Sequence, residues 1–380
     1  MIEVVFWISL FLISYSFIGY PLLLKLIVII NKHREIQSNS NDTDFTSFVS
    51  IILSVYNEEN VIKKKINNFF ELDYPKNLIE LIIISDGSTD NTENIIKSFN
   101  SERIKLVVQK KRSGKTMALN KGVLISEGDI LVFTDANSMF DKCAIKKLIR
   151  HFRDPLIGLV TGKIIYFNFA DGKKETISGL YQRYEEILRG EESKVASIVG
   201  ADGAIYAFRK KLYEPLRSEY INDLTHPIQT VLKGYKAVLD SEAICMEEID
   251  SPYEGEFKRQ TRIMSQAFLV YISYIGKLLS NKKWLYAWEL TSHKLLRWLS
   301  LLWMTGLFFT TIILFKSGLI FQSLLILQIT FLLLIVSGAY SNIEFLKFPY
   351  CFFLIHLASL AGIYNFLLGK TFVTWEPRKN

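Results

Sequence analysis

Cysteine and clustered histidine are scarce in this chain of 380 residues. The three cysteines, Cys143, Cys245 and Cys351, lie far apart and form no CxxC pair. An odd number of widely separated cysteines indicates neither a disulfide framework nor a zinc site. The five histidines form no spaced cluster either, so core or interfacial roles are expected for them.

Glycine-rich phosphate loops are also missing. No GxGxxG follows the first apolar strand, where the chain continues as Tyr56-Asn57-Glu58-Glu59. The segment Ser113 to Thr116 ends like a P-loop, but Gln109 stands where the first glycine of that motif is required. A nucleotide would therefore be bound by side chains at strand ends.

Nucleic-acid binding signatures are absent as well, although the net charge is +7. The lysines and arginines are spread along the chain, with no helix-turn-helix, zinc finger or RNA-binding motif. A basic face beside an anionic leaflet, or a site for phosphorylated substrates, explains the charge better. We expect no nucleic-acid partner.

Apolar residues are abundant, at 49% of the chain with a mean hydropathy of +0.20. Val4 to Leu24 is long enough to cross the hydrocarbon core of a membrane, and Lys32 to Arg34 follow it. A cleaved signal peptide carries its positive charge before the apolar run. We interpret residues 1–31 as an N-terminal anchor and the domain after it as cytoplasmic.

The C-terminal region, 299–380, has three further apolar stretches, 299–315, 317–340 and 348–369. They predict about three more spans and a multi-pass protein of the cell membrane. Residues 277–298 mix tryptophan with cations, as an interfacial amphipathic helix does. Four spans would put the tail outside despite its two basic residues, so either one stretch is re-entrant or the charge rule fails for so short a tail.

The middle of the chain, 47–276, follows a polar linker at 32–46 and alternates strand-like with helical runs. This alternation predicts an α/β domain with a parallel sheet. The helices are expected to be capped by Asn57 and Asp90. The predicted strands are 48–55, 79–84, 104–108 and 130–133, and the predicted helices are 59–70 and 91–99.

Acidic residues follow these strands. Asp86 at a strand end suggests a carboxylate that accepts from a nucleobase or ribose, although Asp86-Gly87 is also turn chemistry. Asp135 and Asn137 after the fourth strand offer oxygen ligands to Mg²⁺ or Mn²⁺, which prefers few protein oxygens plus substrate phosphates. Asp223 precedes a helical run, so it is either a reactive carboxylate or a helix N-cap.

Seven motifs in this order resemble the membrane-bound glycosyltransferases of family 2, which have a GT-A fold and are related to poly-N-acetylglucosamine, hyaluronan, cellulose and chitin synthases. The similarity covers nearly the whole chain. The motifs are Tyr56-Asn-Glu-Glu59, Asp86-Gly-Ser-Thr-Asp90, Lys115-Thr-Met-Ala-Leu-Asn120, Asp135-Ala-Asn137, Gly200-Ala-Asp-Gly-Ala204, Asn222-Asp223 and Arg259-Gln-Thr-Arg262.

The resemblance implies roles for single residues. The nucleotide of a nucleotide-sugar donor, expected to be a UDP-sugar, would be contacted by Tyr56, Glu58, Asp86 and Lys115. Asp135 and Asn137 would lie at the diphosphate and its metal ion. Asp223 would be the catalytic base, with Gly200, Asp202 and Gly203 on the acceptor side. Arg259 and Arg262 would steady the leaving diphosphate.

Two departures from the family pattern matter. Asn137 replaces a second aspartate in the metal motif, which weakens the expected ligand set. No tryptophan stands directly after Arg262, where the family pattern has one, so long-chain polymerisation is not implied. The sequence predicts an inverting glycosyltransferase that acts on a glycan or lipid-linked acceptor in cell-envelope polysaccharide or glycolipid synthesis. The alternatives are a processive polysaccharide synthase and a catalytically silent membrane sensor of nucleotide-sugars or glycans.

Overall fold

A computed structural model describes residues 1–31, 45–167, 178–248, 253–341 and 343–374. Most of the predicted linker, 32–44, and the basic residues Arg378 and Lys379 lie outside the described residues. The chain opens with two helices, α1 (Ile2–Ser14) and α2 (Tyr20–Ile30), joined by a π-helical turn at Tyr15–Gly19.

The α/β domain contains a mixed sheet, and its first four strands are those predicted from the apolar runs. The elements are β1 (Val49–Val55), α3 (Ile62–Phe70), β2 (Ile79–Asp86), α4 (Thr92–Ser98), β3 (Ile104–Gln109), α5 (Lys115–Ile125) and β4 (Ile130–Thr134). These strands pair in parallel, β3 on β2, β2 on β1 and β1 on β4. β1, β2 and β4 are buried along their whole length, which explains their near-continuous apolar sequences.

The second half of the domain extends the sheet to eight strands in the order β3-β2-β1-β4-β7-β6-β8-β5. β7 runs antiparallel to β4 and β6, and β8 pairs in parallel with β6 and antiparallel with β5. The elements are β5 (Ser138–Phe140), α6 (Ala144–Arg150), β6 (Ile157–Phe167), α7 (Ser178–Val195), β7 (Tyr206–Arg209), α8 (Asn222–Leu232) and β8 (Lys236–Glu248). The expected parallel sheet is therefore a mixed one.

One of the two expected helix caps is wrong. α3 begins at Ile62, and Asn57 has φ +52 and accepts a hydrogen bond from the backbone N–H of Thr89 at 2.8 Å instead. Asp90 lies one residue before the N-cap position of α4, yet its carboxylate accepts from the backbone N–H of Thr92 at 3.0 Å. Asp90 therefore satisfies a free N–H at the start of that helix, as a cap does.

Helices follow the domain. They are α9 (Tyr253–Ser280), α10 (Trp284–Leu290), α11 (Leu296–Trp298), α12 (Ser300–Ile313), α13 (Leu319–Tyr340) and α14 (Glu344–Leu367). The predicted boundary at 276/277 falls inside α9, so the segment expected as one interfacial helix, 277–298, is divided between the end of α9 and a separate helical stretch.

Within the described residues, four helices are long and apolar enough to cross a membrane, or up to five if a bent pair counts as one span. They are Ile2–Ile30, Glu256–Ser280, Leu319–Tyr340 and Phe345–Leu367, and the bent pair is Trp284–Trp298 with Ser300–Ile313, which meet at 57°. Glu256–Ser280 was not among the spans predicted from the sequence.

The end of the described chain returns to the α/β domain. The Phe372 carbonyl oxygen accepts from Gln266 Nε2 at 2.8 Å, and the Val373 carbonyl oxygen lies against Gly114 at the start of α5. A chain that leaves one side of a membrane and returns to it crosses an even number of times. A C-terminal segment on the side of the domain agrees with the alternative in which one of the three stretches is re-entrant, and the number of spans stays a prediction.

Candidate functional site

The carboxyl ends of three neighbouring parallel strands bring the candidate donor-binding residues together. Tyr56 follows β1, Asp86 ends β2 and Asp135 follows β4, and β1 lies between β2 and β4 in the sheet. Open α/β sheets bind ligands at this edge, where adjacent loops diverge. The strand order therefore brings these three residues to one edge of the sheet.

Lys115 and Asp135 form the central ion pair of this edge. Lys115 is the first residue of α5, and its Nζ lies 2.5 Å from Asp135 Oδ1. Both side chains are about one third exposed, so they face an open cleft. A cation and a carboxylate that can separate are suited to a ligand that carries both phosphates and a metal ion.

Glu58 adds negative charge beside this pair. Partial burial, together with the negative charges of Asp135 and Asp90, raises the pKa of Glu58 to about 7. Close carboxylates that repel one another indicate a place where a cation or a proton donor is favourable. Glu58 therefore holds a proton more readily than an ordinary glutamate when no ligand is bound.

Asp86 is completely buried and already satisfied by the protein. Its two carboxylate oxygens accept from the backbone N–H groups of Ser113 and Gly114, at 2.7 and 2.8 Å. The backbone of Val373 covers Gly114 from the other side. Direct contact between Asp86 and a nucleotide would therefore require this loop to move.

Tyr56 is stacked by a residue that the sequence analysis missed. The guanidinium carbon of Arg112 lies 3.7 Å from the centre of the Tyr56 ring. A cation over an aromatic face forms a flat surface of the kind on which a nucleobase stacks. The basic run Lys110 to Arg112 after β3 is the signal that would have drawn attention to it.

Lys65 forms hydrogen bonds to both ends of the turn between β4 and β5 that carries Asp135 and Asn137. The sequence analysis did not predict this contact. Lys65 is 2% exposed, and its Nζ donates to Thr134 Oγ1 at 2.9 Å and to the Ser138 carbonyl oxygen. Burial lowers the pKa of Lys65 to about 8. Lysine in an amphipathic helix is expected to face solvent, so the sequence gives no signal for this contact.

The carboxylates of this edge suit a metal ion that arrives with phosphate ligands rather than a resident one. Among the described residues, no group of three His, Cys, Asp or Glu side chains could hold a metal ion. Asp135 supplies one partly exposed carboxylate, and Asn137 supplies a neutral oxygen two residues later. Mg²⁺ commonly takes one or two protein oxygens and fills its remaining positions with water and substrate phosphates.

Asp223 stands in the first turn of α8, opposite the glycines of the acceptor-side loop. The N-cap of α8 is Ile221, so the alternative of an N-cap role for Asp223 is not supported. A side chain added at Gly203 would lie 3.1 Å from Asp223 Oδ2, and the Asp223 carbonyl oxygen accepts from Ala201 N at 2.8 Å. The loop is thus glycine-rich where it passes the carboxylate.

The electrostatic environment of Asp223 is mixed. Removal from bulk solvent raises its pKa, Lys115 lowers it, Asp135 raises it, and Lys294 and Asp202 follow with smaller opposing effects. A carboxylate whose pKa is raised is a stronger proton acceptor than an ordinary aspartate while it remains ionised. The same shift is what a general base in a cleft needs.

A buried hydrogen-bonded chain holds the helix on which Asp223 lies. Asn222 Nδ2 donates to Tyr206 Oη at 2.6 Å, and that hydroxyl lies 3.0 Å from His226 Nδ1. Burial lowers the pKa of His226 to about 3, so His226 is neutral and shares one hydrogen bond with the Tyr206 hydroxyl. The expectation of a core role for His226 agrees with this geometry.

Asp202, expected on the acceptor side, forms contacts that hold the acceptor-side loop in place. Its carboxylate pairs with Arg189 Nη1 at 2.6 Å, and its backbone N–H donates to Thr161 Oγ1 at 2.8 Å. The pair ties the loop to α7. Asp202 therefore shapes the loop, whereas Gly200 and Gly203 leave the space beside Asp223 open.

The two arginines of α9 differ in their surroundings. Arg259 pairs with Glu256 at 2.8 Å one turn earlier. Arg262 forms no hydrogen bond or ion pair within the described part of the chain, and it lies close enough to Asp223 to interact with its charge. Of the two, Arg262 is the one brought to the cleft without a carboxylate partner.

Comparison with known proteins identifies the domain. Residues 50–216 match the family model described as glycosyl transferase family 2. A probable glycosyltransferase, YdaM of Bacillus subtilis, is 26% identical over 250 residues, which cover 62% of this chain and 59% of that protein. The poly-beta-1,6-N-acetyl-D-glucosamine synthase of Staphylococcus epidermidis is 26% identical over 258 residues, 66% of this chain and 59% of that one. The chain thus spans about three fifths of the length of these relatives.

A solved structure confirms the fold over a longer stretch. The mannosyltransferase PcManGT of Pyrobaculum calidifontis, determined with GDP-Man and Mn²⁺, superposes with a TM-score of 0.72 at 20% identity, covering 97% of this chain and 100% of that one. The predicted α/β domain of GT-A type with helical C-terminal segments is confirmed. Residues 50–216 are thus similar to glycosyl transferase family 2, and apolar helices follow the domain.

Proposed function

We propose that this chain is an inverting glycosyltransferase that moves a sugar from a nucleotide-sugar to a hydroxyl of a glycan or lipid-linked acceptor. The observation that carries the proposal is the placement of Asp223 against Gly203, in the same cleft as the Lys115–Asp135 pair. A proton acceptor and a diphosphate-binding edge that face one open space are the two parts that sugar transfer requires.

In the proposed reaction, Asp223 takes the proton of the acceptor hydroxyl while that oxygen attacks the anomeric carbon. The nucleoside diphosphate departs from the opposite face, so the configuration at the anomeric carbon inverts. General-base catalysis of this kind typically contributes about 10²- to 10⁴-fold. Gly200 and Gly203 leave room for the acceptor.

The leaving diphosphate would be met by positive charge from this chain. Lys115 would turn from Asp135 toward the phosphates, and Arg262 would approach from α9, with Arg259 remaining paired to Glu256. Asp135 and Asn137 would hold Mg²⁺ or Mn²⁺, which would supply positive charge beside the diphosphate. Tyr56 and Arg112 would stack on the base, and Asp86 would order the loop beside it.

The proposal places the α/β domain on the cytoplasmic side of the cell membrane, where nucleotide-sugars are made, with several helices crossing the bilayer. The related synthases support a role in cell-envelope polysaccharide or glycolipid synthesis. The donor is expected to carry UDP, whereas the neighbouring archaeal enzyme was solved with GDP-Man. Both nucleotides therefore belong in the test.

The test is a release assay on the purified full-length chain in membranes with added lipid extract. UDP- and GDP-sugars are supplied with Mn²⁺ or Mg²⁺, and free nucleoside diphosphate is measured. We expect turnover of one donor, and loss of turnover in EDTA. If no donor is turned over but one binds, the chain is a sensor of nucleotide-sugars and the proposal is wrong.

A further inference from the structure

Lys294 lies on the acceptor side of the cleft, on the membrane-proximal helical stretch Trp284–Trp298. A side chain added at Gly200 would meet Lys294 Cε at 3.7 Å, Lys294 Nζ at 3.9 Å and the Asp223 carbonyl oxygen at 4.0 Å. The lysine is partly buried. A cation from the membrane-facing part of the molecule thus reaches the loop beside Asp223.

The carboxylates around Lys294 are occupied by other residues. Glu192 accepts from Tyr20 Oη at 2.8 Å and lies 2.6 Å from His293 Nδ1. Glu185 lies 3.0 Å from His293 Nε2 and 2.5 Å from Arg297 Nη1. This network links α2 and α7 to the membrane-proximal stretch, so it fixes the position of Lys294.

Lys294 itself has no ion pair within the described chain. Its Nζ lies 3.2 Å from His293 Nε2, which already faces Glu185. An ammonium group that is held in place, partly removed from water and without a carboxylate is a favourable partner for an anion.

The position of this cation relative to the membrane narrows the choice of anion. The helical stretch begins with Trp284 and Leu285, which are 62% and 44% exposed, as residues of a membrane interface are. It bends by 57° into the apolar helix α12. Phosphate groups of lipids lie in the interfacial region that such residues mark, between the cytoplasmic solution and the hydrocarbon core.

We propose that Lys294 binds a phosphate group of the acceptor, so that the acceptor is a phosphate-linked glycolipid that offers a sugar hydroxyl to Asp223. The inference rests on the proposed function and specifies its acceptor class. The acceptor oxygen forms the bond to the anomeric carbon, the bond to the donor diphosphate breaks, and the hydroxyl proton passes to Asp223. The acceptor phosphate takes no part in bond making, and Lys294 positions it.

The test measures binding of a phosphate probe apart from sugar transfer. Decyl phosphate, inorganic phosphate and the neutral decyl maltoside are titrated calorimetrically into the full-length chain in dodecyl maltoside, a detergent without phosphate. We expect decyl phosphate to bind, with an affinity about tenfold or more weaker in Lys294→Gln. Lys294→Arg keeps the charge and should retain binding, and Lys282→Gln, an exposed neighbour, should match the parent chain.

The three probes distinguish a lipid phosphate from free phosphate, and they distinguish failure of this inference from failure of the proposed function. If inorganic phosphate shows the same dependence on Lys294, the phosphate itself is the recognised group; binding of decyl phosphate alone means that the lipid chain is also required. Equal affinity of decyl phosphate for the parent chain and Lys294→Gln would overturn the inference. If a donor is turned over but decyl phosphate binds the parent chain and Lys294→Gln equally well, the proposed function stands and only the inference about Lys294 is wrong. If decyl phosphate binds through Lys294 but no donor is turned over, only the proposed function is contradicted.

Discussion

At the scale of single residues, Glu58 links the charge of the donor-binding edge to pH. Its pKa in the folded chain is raised to about 7, above its value in an unfolded chain. The folded state therefore holds the proton more tightly, and the stability that this contributes is present at low pH and is lost as pH rises toward and through 7.

We expect the melting temperature of the metal-free chain, measured in EDTA, to include a decrease between about pH 5 and pH 8 that Glu58→Gln removes. Glu59→Gln, an exposed neighbour, serves as the control. An unchanged slope in Glu58→Gln would show that Glu58 is ionised throughout this range.

Lys65 is the second residue whose role can be tested alone. Lys65→Met leaves the Ser138 carbonyl oxygen without its donor, at a cost of about 1–3 kcal/mol, and removal of a buried charge offsets part of that cost. We expect a small change in melting temperature but roughly tenfold lower kcat/KM for donor turnover, because the Asp135 turn loses its support.

The matched control is Lys63→Met, an exposed lysine on the same helix. Steady-state kinetics of both variants decide the matter. If Lys65→Met and Lys63→Met show equal kcat/KM, the buried lysine serves folding only.

At the scale of elements, the contact between the C-terminal segment and α5 depends on Gly114. Its backbone, at φ +93 and ψ 156, lies in a region that only glycine adopts readily, and an added side chain would collide with the Val373 carbonyl oxygen and lie 3.0 Å from Val373 Cγ1. Gly234 also has a positive φ, +86, but nothing lies near its absent side chain.

We predict that Gly114→Ala displaces the segment, so that a cysteine introduced by Thr374→Cys reacts several-fold faster with a maleimide. Gly234→Ala should leave this rate unchanged, because it adds backbone strain without a collision. Peptide mass spectrometry reports labelling at residue 374. Equal rates in both variants would mean that the segment does not rest on Gly114 in solution.

Elements with strong local signals were predictable, and long-range contacts were not. β1 to β4 were expected to within two residues because buried parallel strands are continuously apolar. The antiparallel strands β5 and β7 are three and four residues long, too short for a periodic pattern. Their neighbours β6 and β8 are long but were not recognised either.

The site divides in the same way. Asp135 was predicted from its place after an apolar strand, and Asp223 from a motif that resembles those of the family. Lys65, Arg112 and Lys294 act across the fold, through partners that lie far away in sequence, and a single chain gives no pattern for such contacts. Asp86 was found, but its burial beneath the Ser113–Gly114 loop depends on packing and was not foreseeable.

At the scale of the whole molecule, the return of the chain to the α/β domain constrains its path through the membrane. Val373 touches Gly114, so, if the apolar helices cross a membrane as proposed, both residues lie on one side and the number of crossings between β8 and the C-terminal segment is even. α9, the bent pair, α13 and α14 are four candidates, so either all four cross or two of them lie at the interface.

We expect Thr374→Cys and Lys64→Cys, both exposed, to be labelled from the same side of sealed vesicles by a reagent that cannot cross the bilayer. A cysteine at Ser317, in the turn between α12 and α13, should be labelled from the same side if all four candidates cross, and from the opposite side if only the bent pair and α13 cross. Labelling of residue 374 from the side opposite to residue 64 would contradict the contact with Gly114.

The central claim is that Asp223 is the general base of sugar transfer, and one variant tests it most directly. Asp223→Asn keeps the size of the side chain and removes its ability to take a proton. We predict that donor affinity stays within about twofold, measured by calorimetry, while nucleoside diphosphate release falls by about 10²- to 10⁴-fold. Release at the parent rate in Asp223→Asn would contradict the account.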